Sequence, residues 1–362
     1  MGMTRERPQG STTAHPLAAD LEHVLAHTGS IWDELRGKRI FATGGTGFFG
    51  TWLLESFAWA NERLDLQAKM TVLTRNPDAF RRKAPFAASS AAIRLVRGDV
   101  LRFRWPQGEF HSIIHGASAT IEGLDGLNPL LELDTTVQGT RNVLDFARER
   151  RIERVLFLSS GAVYGRQPSS ISHVSEGYAG APRLLDGAEK YPIYGEAKRI
   201  GELLCSAYWH HYGIESIVAR CFAFVGPYLN LNLHYAAGNF IRDGLKGGPI
   251  SVSGDGTSYR SYLYASDLTI WLWHILMRGA PGTAYNVGSE EALTIRELAD
   301  RVGHSFDPPV DVKVQLEPDP RKEPERYVPS TERARTELGL QQRVTLEEAI
   351  RKTIAWNRAQ TA

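Results

Sequence analysis

This 362-residue chain has two cysteines, four methionines and almost no net charge. Cys205 and Cys221 cannot build a disulfide framework and stand at no metal-ligand spacing, so neither a stapled scaffold nor a zinc module is expected. Lys and Arg total 42 against 41 Asp and Glu. No broad basic field exists to attract phosphates, so the sequence predicts no nucleic-acid and no membrane partner. The most apolar run, 268–277, is about half of what a membrane-spanning helix needs and reads as a buried helix. The first residues show no basic stretch followed by an apolar run, so no secretory signal is read there. With so few cysteines, a cytoplasmic setting is the expectation.

What the chain does have is alternation. Residues 1–15 are polar, and 16–35 carry apolar residues at helical spacing (Leu21, Val24, Leu25, Ile31, Trp32, Leu35), which predicts an extra helix before the first strand. Short apolar runs then recur at 39–42, 69–73, 93–97, 112–115, 155–159 and 216–219, with helical stretches such as 137–147 between them. Such strand–helix alternation predicts an α/β fold, a Rossmann-type doubly wound parallel sheet. Past Gly226 the elements shorten and Pro and Gly increase, as expected of a smaller C-terminal substrate-binding lobe. The chain therefore divides into an N-terminal extension (1–37), a cofactor-binding domain (38–226) and a mainly substrate-binding part (227–362) from which it can cross back.

The first chemical signal is Thr43-Gly44-Gly45-Thr46-Gly47-Phe48-Phe49-Gly50, after one strand and before a helix. In either glycine register it gives a tight turn, lets backbone N–H groups approach a pyrophosphate and packs helix on strand. This predicts a dinucleotide site. At the end of the second strand, where an NAD site usually places a carboxylate for the ribose, stand Thr74 and Arg75. A cation there suits a 2′-phosphate, so the expected cofactor is NAD(P) with a lean to NADP; the alternative is an Arg75 that stacks on adenine or points to solvent. Asp99, followed by Val100, is placed to meet the adenine amino group, and His115-Gly116-Ala117-Ser118 ends a strand with small residues along which a cofactor can lie. His115 reads as a packed histidine.

The chemistry rests on a strand ending in Ser159-Ser160 and a downstream Tyr194-Gly195-Glu196-Ala197-Lys198 at the start of an amphipathic helix. Residues four apart share a helix face, so the Lys198 ammonium is expected near the Tyr194 phenol, lowering a pKa that starts near 10 and making Tyr194 a general base. Ser160 would hold the same substrate oxygen.

Taken in order, TGGTGFFG, GDV, HGASA, SSGAVYG and YGEAK resemble the extended short-chain dehydrogenases/reductases, specifically the nucleotide-sugar epimerase/dehydratase family. The likeness runs through 220–227, 260–267 and 285–288 and covers about residues 38–358. It implies that 43–50 hold the cofactor pyrophosphate, Asp99 the adenine, and Tyr194 and Lys198 the nicotinamide ribose. It also implies that Ser160 and Tyr194, with Gly161 beside them, flank the reacting sugar carbon, and that Asn239, Arg260 and Arg321 grip a nucleotide-sugar substrate. A homodimer paired through two helices per subunit is implied too, with Leu131, Phe146, Leu204 and Tyr208 on the paired faces.

The departures are as informative. Gly161 and Ala162 stand where the dTDP-glucose 4,6-dehydratases carry an Asp and a Glu, and the carboxylate of UDP-glucuronate decarboxylases is missing from this segment as well. UDP-galactose 4-epimerases carry small residues there. Yet Thr136 and Ala223 replace asparagines usual in the family. The expected activity is a nucleotide-sugar epimerase acting by transient oxidation. Its alternatives are an NADPH-dependent keto-sugar reductase, a dehydratase whose acid and base have moved to Glu122, His173 or Glu176, and a non-catalytic cofactor sensor.

Overall fold

The computed structural model describes residues 15–118, 129–183, 192–233 and 235–361. Seven parallel strands form the central sheet: β1 (Arg39–Thr43), β2 (Lys69–Thr74), β3 (Ile93–Arg97), β4 (Ser112–His115), β5 (Arg154–Ser160), β6 (Glu215–Cys221) and β7 (Ala284–Val287). Their order is β3-β2-β1-β4-β5-β6-β7. The chain thus leaves β3 at one edge and returns beside β1, so the order reverses between β1 and β4. Ligand crevices of open α/β sheets form at such a reversal, beyond the strands' carboxyl ends.

Alternation along each strand sorts side chains to two faces. Ile40 and Ala42 of β1, Met70 and Val72 of β2 and Leu156 and Leu158 of β5 join one buried cluster. Helices α2 (Phe48–Leu64) and α6 (Ala265–Arg278) cover that face. Phe41, Ile113, Val155 and Phe157 point the other way, toward α3 (Pro129–Glu149) and α4 (Pro192–Tyr212). This is the expected doubly wound sheet. The 268–277 run lies in α6 and is buried, as its composition predicts.

Two findings differ from the sequence reading of these elements. Strand β7, to which the chain returns after the 227–260 region, is a strand the periodicity did not reveal. Phe146 and Tyr208, expected on outward faces, pack instead into the α3/α4 side of the core. Leu130, Leu131, Leu203 and Tyr212 are the exposed large apolar side chains of those helices.

A separate apolar cluster gathers Val225, Phe240, Ile250, Tyr262, Tyr264, Leu298, Val302, Ile350 and Ile354 around helix α5 (Ala236–Leu245). The N-terminal helix α1 (Ala18–Thr28) ties onto this part: Tyr264 Oη and Lys352 Nζ both donate to the buried Asp20 carboxylate, at 2.8 and 2.6 Å.

Candidate active site

The glycine loop joins β1 to α2, and its close contacts explain its composition. Gly44 has φ +70°, and a Cβ there would lie 2.3 Å from the Gly116 carbonyl carbon. A Cβ on Gly50 would lie 2.3 Å from Gly45 Cα. Strand β4 and the first turn of α2 therefore approach the loop more closely than any side chain permits. Gly47 caps α2 in extended conformation, and a Cβ on it would meet only the Gly44 oxygen at 3.4 Å, so its face is open to a ligand. Phe48 and Phe49 begin α2, with Phe49 edge-on to Phe224. A helix N-terminus behind a side-chain-free loop is an anion cradle, and these residues fit a dinucleotide pyrophosphate.

Thr46 and Thr74 meet through their hydroxyls at 3.3 Å, and Lys83, which sequence reasoning missed, donates to the Thr46 carbonyl at 3.1 Å. Thr74 is buried and accepts from the Asn76 N–H, while Arg75 is exposed and its carbonyl accepts from Arg97. No carboxylate stands at this strand end, since Asp78 binds Arg81 and Arg97. Asp99 accepts from the Leu101 N–H in a tight turn. Val100 packs against Gly139 of α3. Ala117 donates its N–H to the Thr43 hydroxyl, and Ser118 is the last described residue before 119–128. His115 lies between Thr43 (2.6 Å) and Thr140 (3.0 Å), and burial drives its pKa down to about 3. It is a packed neutral histidine, as expected.

Ser160, Tyr194 and Lys198 come together at the end of β5. The Ser160 hydroxyl accepts from the Ala162 N–H at 3.1 Å and is hydrogen-bonded to Tyr194. The Lys198 ammonium is buried, donates to the Leu158 carbonyl at 2.8 Å and lies 5.9 Å from the Tyr194 ring centre. The electrostatics differ from the expectation. Burial pushes the Tyr194 phenol above its ordinary range, partly offset by the hydrogen bond to Ser160. Burial also pulls Lys198 down to about 8. For both groups, desolvation of the charged form is the largest effect.

A second phenol, absent from the sequence reading, reaches the same serine. Tyr327 Oη stands 3.4 Å from Ser160 Oγ, and burial pushes its pKa up to about 12, so the phenol is neutral. It comes from the two-residue strand Arg326–Tyr327, too short for a periodic signal. Gly161 faces it: a Cβ there would lie 2.8 Å from both Tyr327 Oη and the Phe222 ring. Arg260 pairs with Tyr327 in strand register, its guanidinium 5.9 Å from the tyrosine ring. Asn239 lies on α5 and accepts from Arg242. Arg321 is not brought to this group; its side chain is 88% exposed and held by Asp319. Of the alternative acids and bases, Glu122 lies outside the described residues. His173 is bound to the Glu290 carbonyl, and Glu176 accepts from the Asn286 N–H.

A parallel sheet reversing beside a glycine cradle, with Ser, Tyr and Lys at the end of β5, defines a dinucleotide-dependent enzyme of the extended short-chain dehydrogenase/reductase type. The chain belongs to the NAD dependent epimerase/dehydratase family, whose model matches residues 40–288. Among curated relatives it is 30% identical over 313 residues to UDP-glucuronic acid decarboxylase 6 of Arabidopsis thaliana, covering 86% of each chain. It is also 30% identical over 319 residues to UDP-glucuronic acid decarboxylase 1 of Danio rerio, covering 88% of this chain and 72% of that one. Among solved structures it resembles the dTDP-glucose 4,6-dehydratase DesIV of Streptomyces venezuelae, solved with NAD bound (24% identity, TM-score 0.74, 89% and 97% covered). It also resembles the UDP-N-acetylglucosamine 4-epimerase of Methanobrevibacter ruminantium M1 (20% identity, TM-score 0.75, 90% and 99% covered). Among the described residues no helix is long and apolar enough to cross a membrane, and none form a metal-binding cluster.

Proposed function

We propose that the chain is a nucleotide-sugar epimerase that oxidises one sugar hydroxyl, lets the keto-sugar turn, and returns the hydride to its other face. The observation that carries this reading is the wall at Gly161. A Cβ there would press on the Tyr327 hydroxyl and the Phe222 ring, and the glycine itself presents no acid or base for the loss of water. Ala162 has no titratable group.

In this reading the glycine loop holds the pyrophosphate, Asp99 the adenine, and Lys198 the nicotinamide ribose. When bound, the nicotinamide accepts and returns the hydride. Tyr194 takes the hydroxyl proton as general base and gives it back, and Ser160 hydrogen-bonds the same oxygen. Because burial raises the phenol's pKa, Tyr194 needs a cation nearby to serve as base, and Lys198, one turn on along the same helix, is the ammonium placed for that. Arg260 and Asn239 lie on the substrate side. Exposed Arg75 at a strand end without a carboxylate favours NADP. The protein acts as a homodimer in the cytoplasm.

A second reading has its own support. Curated relatives at 30% identity are decarboxylases, and oxidation beside a carboxylated carbon is enough to labilise carbon dioxide without a dedicated base. Liquid chromatography with mass detection after incubation with UDP-, dTDP-, GDP- and CDP-hexoses and UDP-hexuronates separates the two. A mass-neutral product supports the epimerase, loss of carbon dioxide the decarboxylase, and gain of two hydrogens a reductase. Loss of water would overturn the argument from Gly161.

A further inference from the structure

The chain as a whole is nearly neutral, but its charge is not evenly spread. Residues 75–83, directly after β2, carry four Arg or Lys and one carboxylate, Asp78. That carboxylate is already engaged, by Arg81 at 2.6 Å and by Arg97 at 3.1 Å. A phosphate brought to this strand end therefore meets a local positive field that the overall balance conceals.

The local fold brings two of these cations to one place. Strand β2 ends at Thr74, and a short helix, Pro77–Lys83, starts at once: Asn76 caps it by accepting from the Ala79 N–H at 3.0 Å. Its last residue, Lys83, reaches the glycine loop, where the ammonium donates to the Thr46 carbonyl at 3.1 Å and lies 5.9 Å from the Tyr228 ring. The Thr46 hydroxyl meets the Thr74 hydroxyl at 3.3 Å. Thr74 precedes Arg75, whose exposed guanidinium has no hydrogen bond or ion pair among the described residues. Loop, strand end and short helix thus form one cluster, with Arg75 at the helix's beginning and Lys83 at its end. A lysine already held on the loop has lost its rotamer freedom before any ligand arrives.

We propose that Lys83 is a second cation for the 2′-phosphate of NADP, acting with Arg75, and so a determinant of cofactor choice. The adenosine ribose of a dinucleotide lies at this strand end, where a carboxylate would select a bare 2′-hydroxyl and a cation accommodates a 2′-phosphate. Such a phosphate carries roughly −1.5 to −2 at pH 7, more than one exposed guanidinium offsets. The assignment rests on the reading of the cofactor as NADP and is independent of the sugar turned over. Its rival is a lysine that only pins the glycine loop, which would serve the pyrophosphate of NAD and NADP alike.

Binding alone separates the two, by titration calorimetry of the whole chain without any sugar. The probes are NADP, NAD and adenosine 2′,5′-bisphosphate, which carries the 2′-phosphate but neither pyrophosphate nor nicotinamide. Lys83→Met should weaken NADP and the bisphosphate about tenfold, the worth of one charge-assisted hydrogen bond, and leave NAD near wild type. Lys83→Arg should keep most of the preference, since it keeps the charge. Lys83→Met combined with Arg75→Ala should bind NADP no better than NAD. Equal losses for NAD and NADP in Lys83→Met would show a loop pin and overturn the assignment. A wild type that prefers NADP, with a Lys83→Met variant that loses nothing, would overturn it too and leave the NADP reading standing. A wild type that binds NAD as tightly as NADP would take both down.

Discussion

The Lys198 ammonium donates to the Leu158 carbonyl at 2.8 Å, which pins the active-site lysine to the strand that also ends in Ser160. Helix α4 and strand β5 are thereby fixed in register where the chemistry is placed, so Tyr194, one turn before Lys198, arrives at Ser160 without needing a bond to the lysine itself.

Tyr194→Phe removes one oxygen from this arrangement and leaves the ring and the cofactor cradle in place. Turnover should fall by roughly 10²–10⁴-fold, the usual contribution of a general acid–base group. Binding of NAD(P), followed by fluorescence quenching, should be unchanged. Near-wild-type turnover would take the phenol out of the mechanism.

Arg75 tests the cofactor preference. If its guanidinium binds a 2′-phosphate, Arg75→Ala should weaken NADP by roughly 1.5–3 kcal/mol, a charge-assisted hydrogen bond, and barely alter NAD. Titration calorimetry with both cofactors measures this, and equal losses would argue that Arg75 merely stacks or faces solvent.

How the site divides between legible and hidden follows from sequence distance. The glycine loop, Asp99, Ser160 and the Tyr194/Lys198 pair each sit next to a strand or helix whose periodicity announces it. Tyr327 comes from a two-residue strand, which leaves no period to read, and Arg260, on another, was reached only through the family resemblance. Strand β7 was hidden for a related reason: four residues beyond the expected end of the cofactor domain look like any loop. The Tyr194 electrostatics were misjudged because spacing reveals a neighbouring cation but not the burial that opposes it.

The exposed side chains on α3 and α4 test the expected homodimer. Leu203 is 68% exposed on α4, and Leu131 and Tyr212 are exposed too, while the inner faces of both helices are packed. Leu203→Glu should turn a dimer into a monomer at micromolar concentration by light scattering, since a charge at a paired helix face is costly to bury. A wild-type monomer under the same conditions would remove the dimer from the proposal.

Gly161 offers the sharpest test of reaction type. If the wall formed by Tyr327 and Phe222 is what bars a side chain, Gly161→Asp should not create a dehydratase. It should instead destabilise the fold by about 1–3 kcal/mol, the usual cost of overpacking, read from the urea midpoint. Shrinking one wall should relieve part of that cost, so Gly161→Asp with Tyr327→Ala should be more stable than the sum of the two single changes predicts. Neighbouring residues that share one space couple in this way, by about 0.5–3 kcal/mol. Strict additivity, or a stable Gly161→Asp protein that releases water from a nucleotide hexose, would show that the site accommodates an acid after all, and the epimerase reading would lose the observation that carries it.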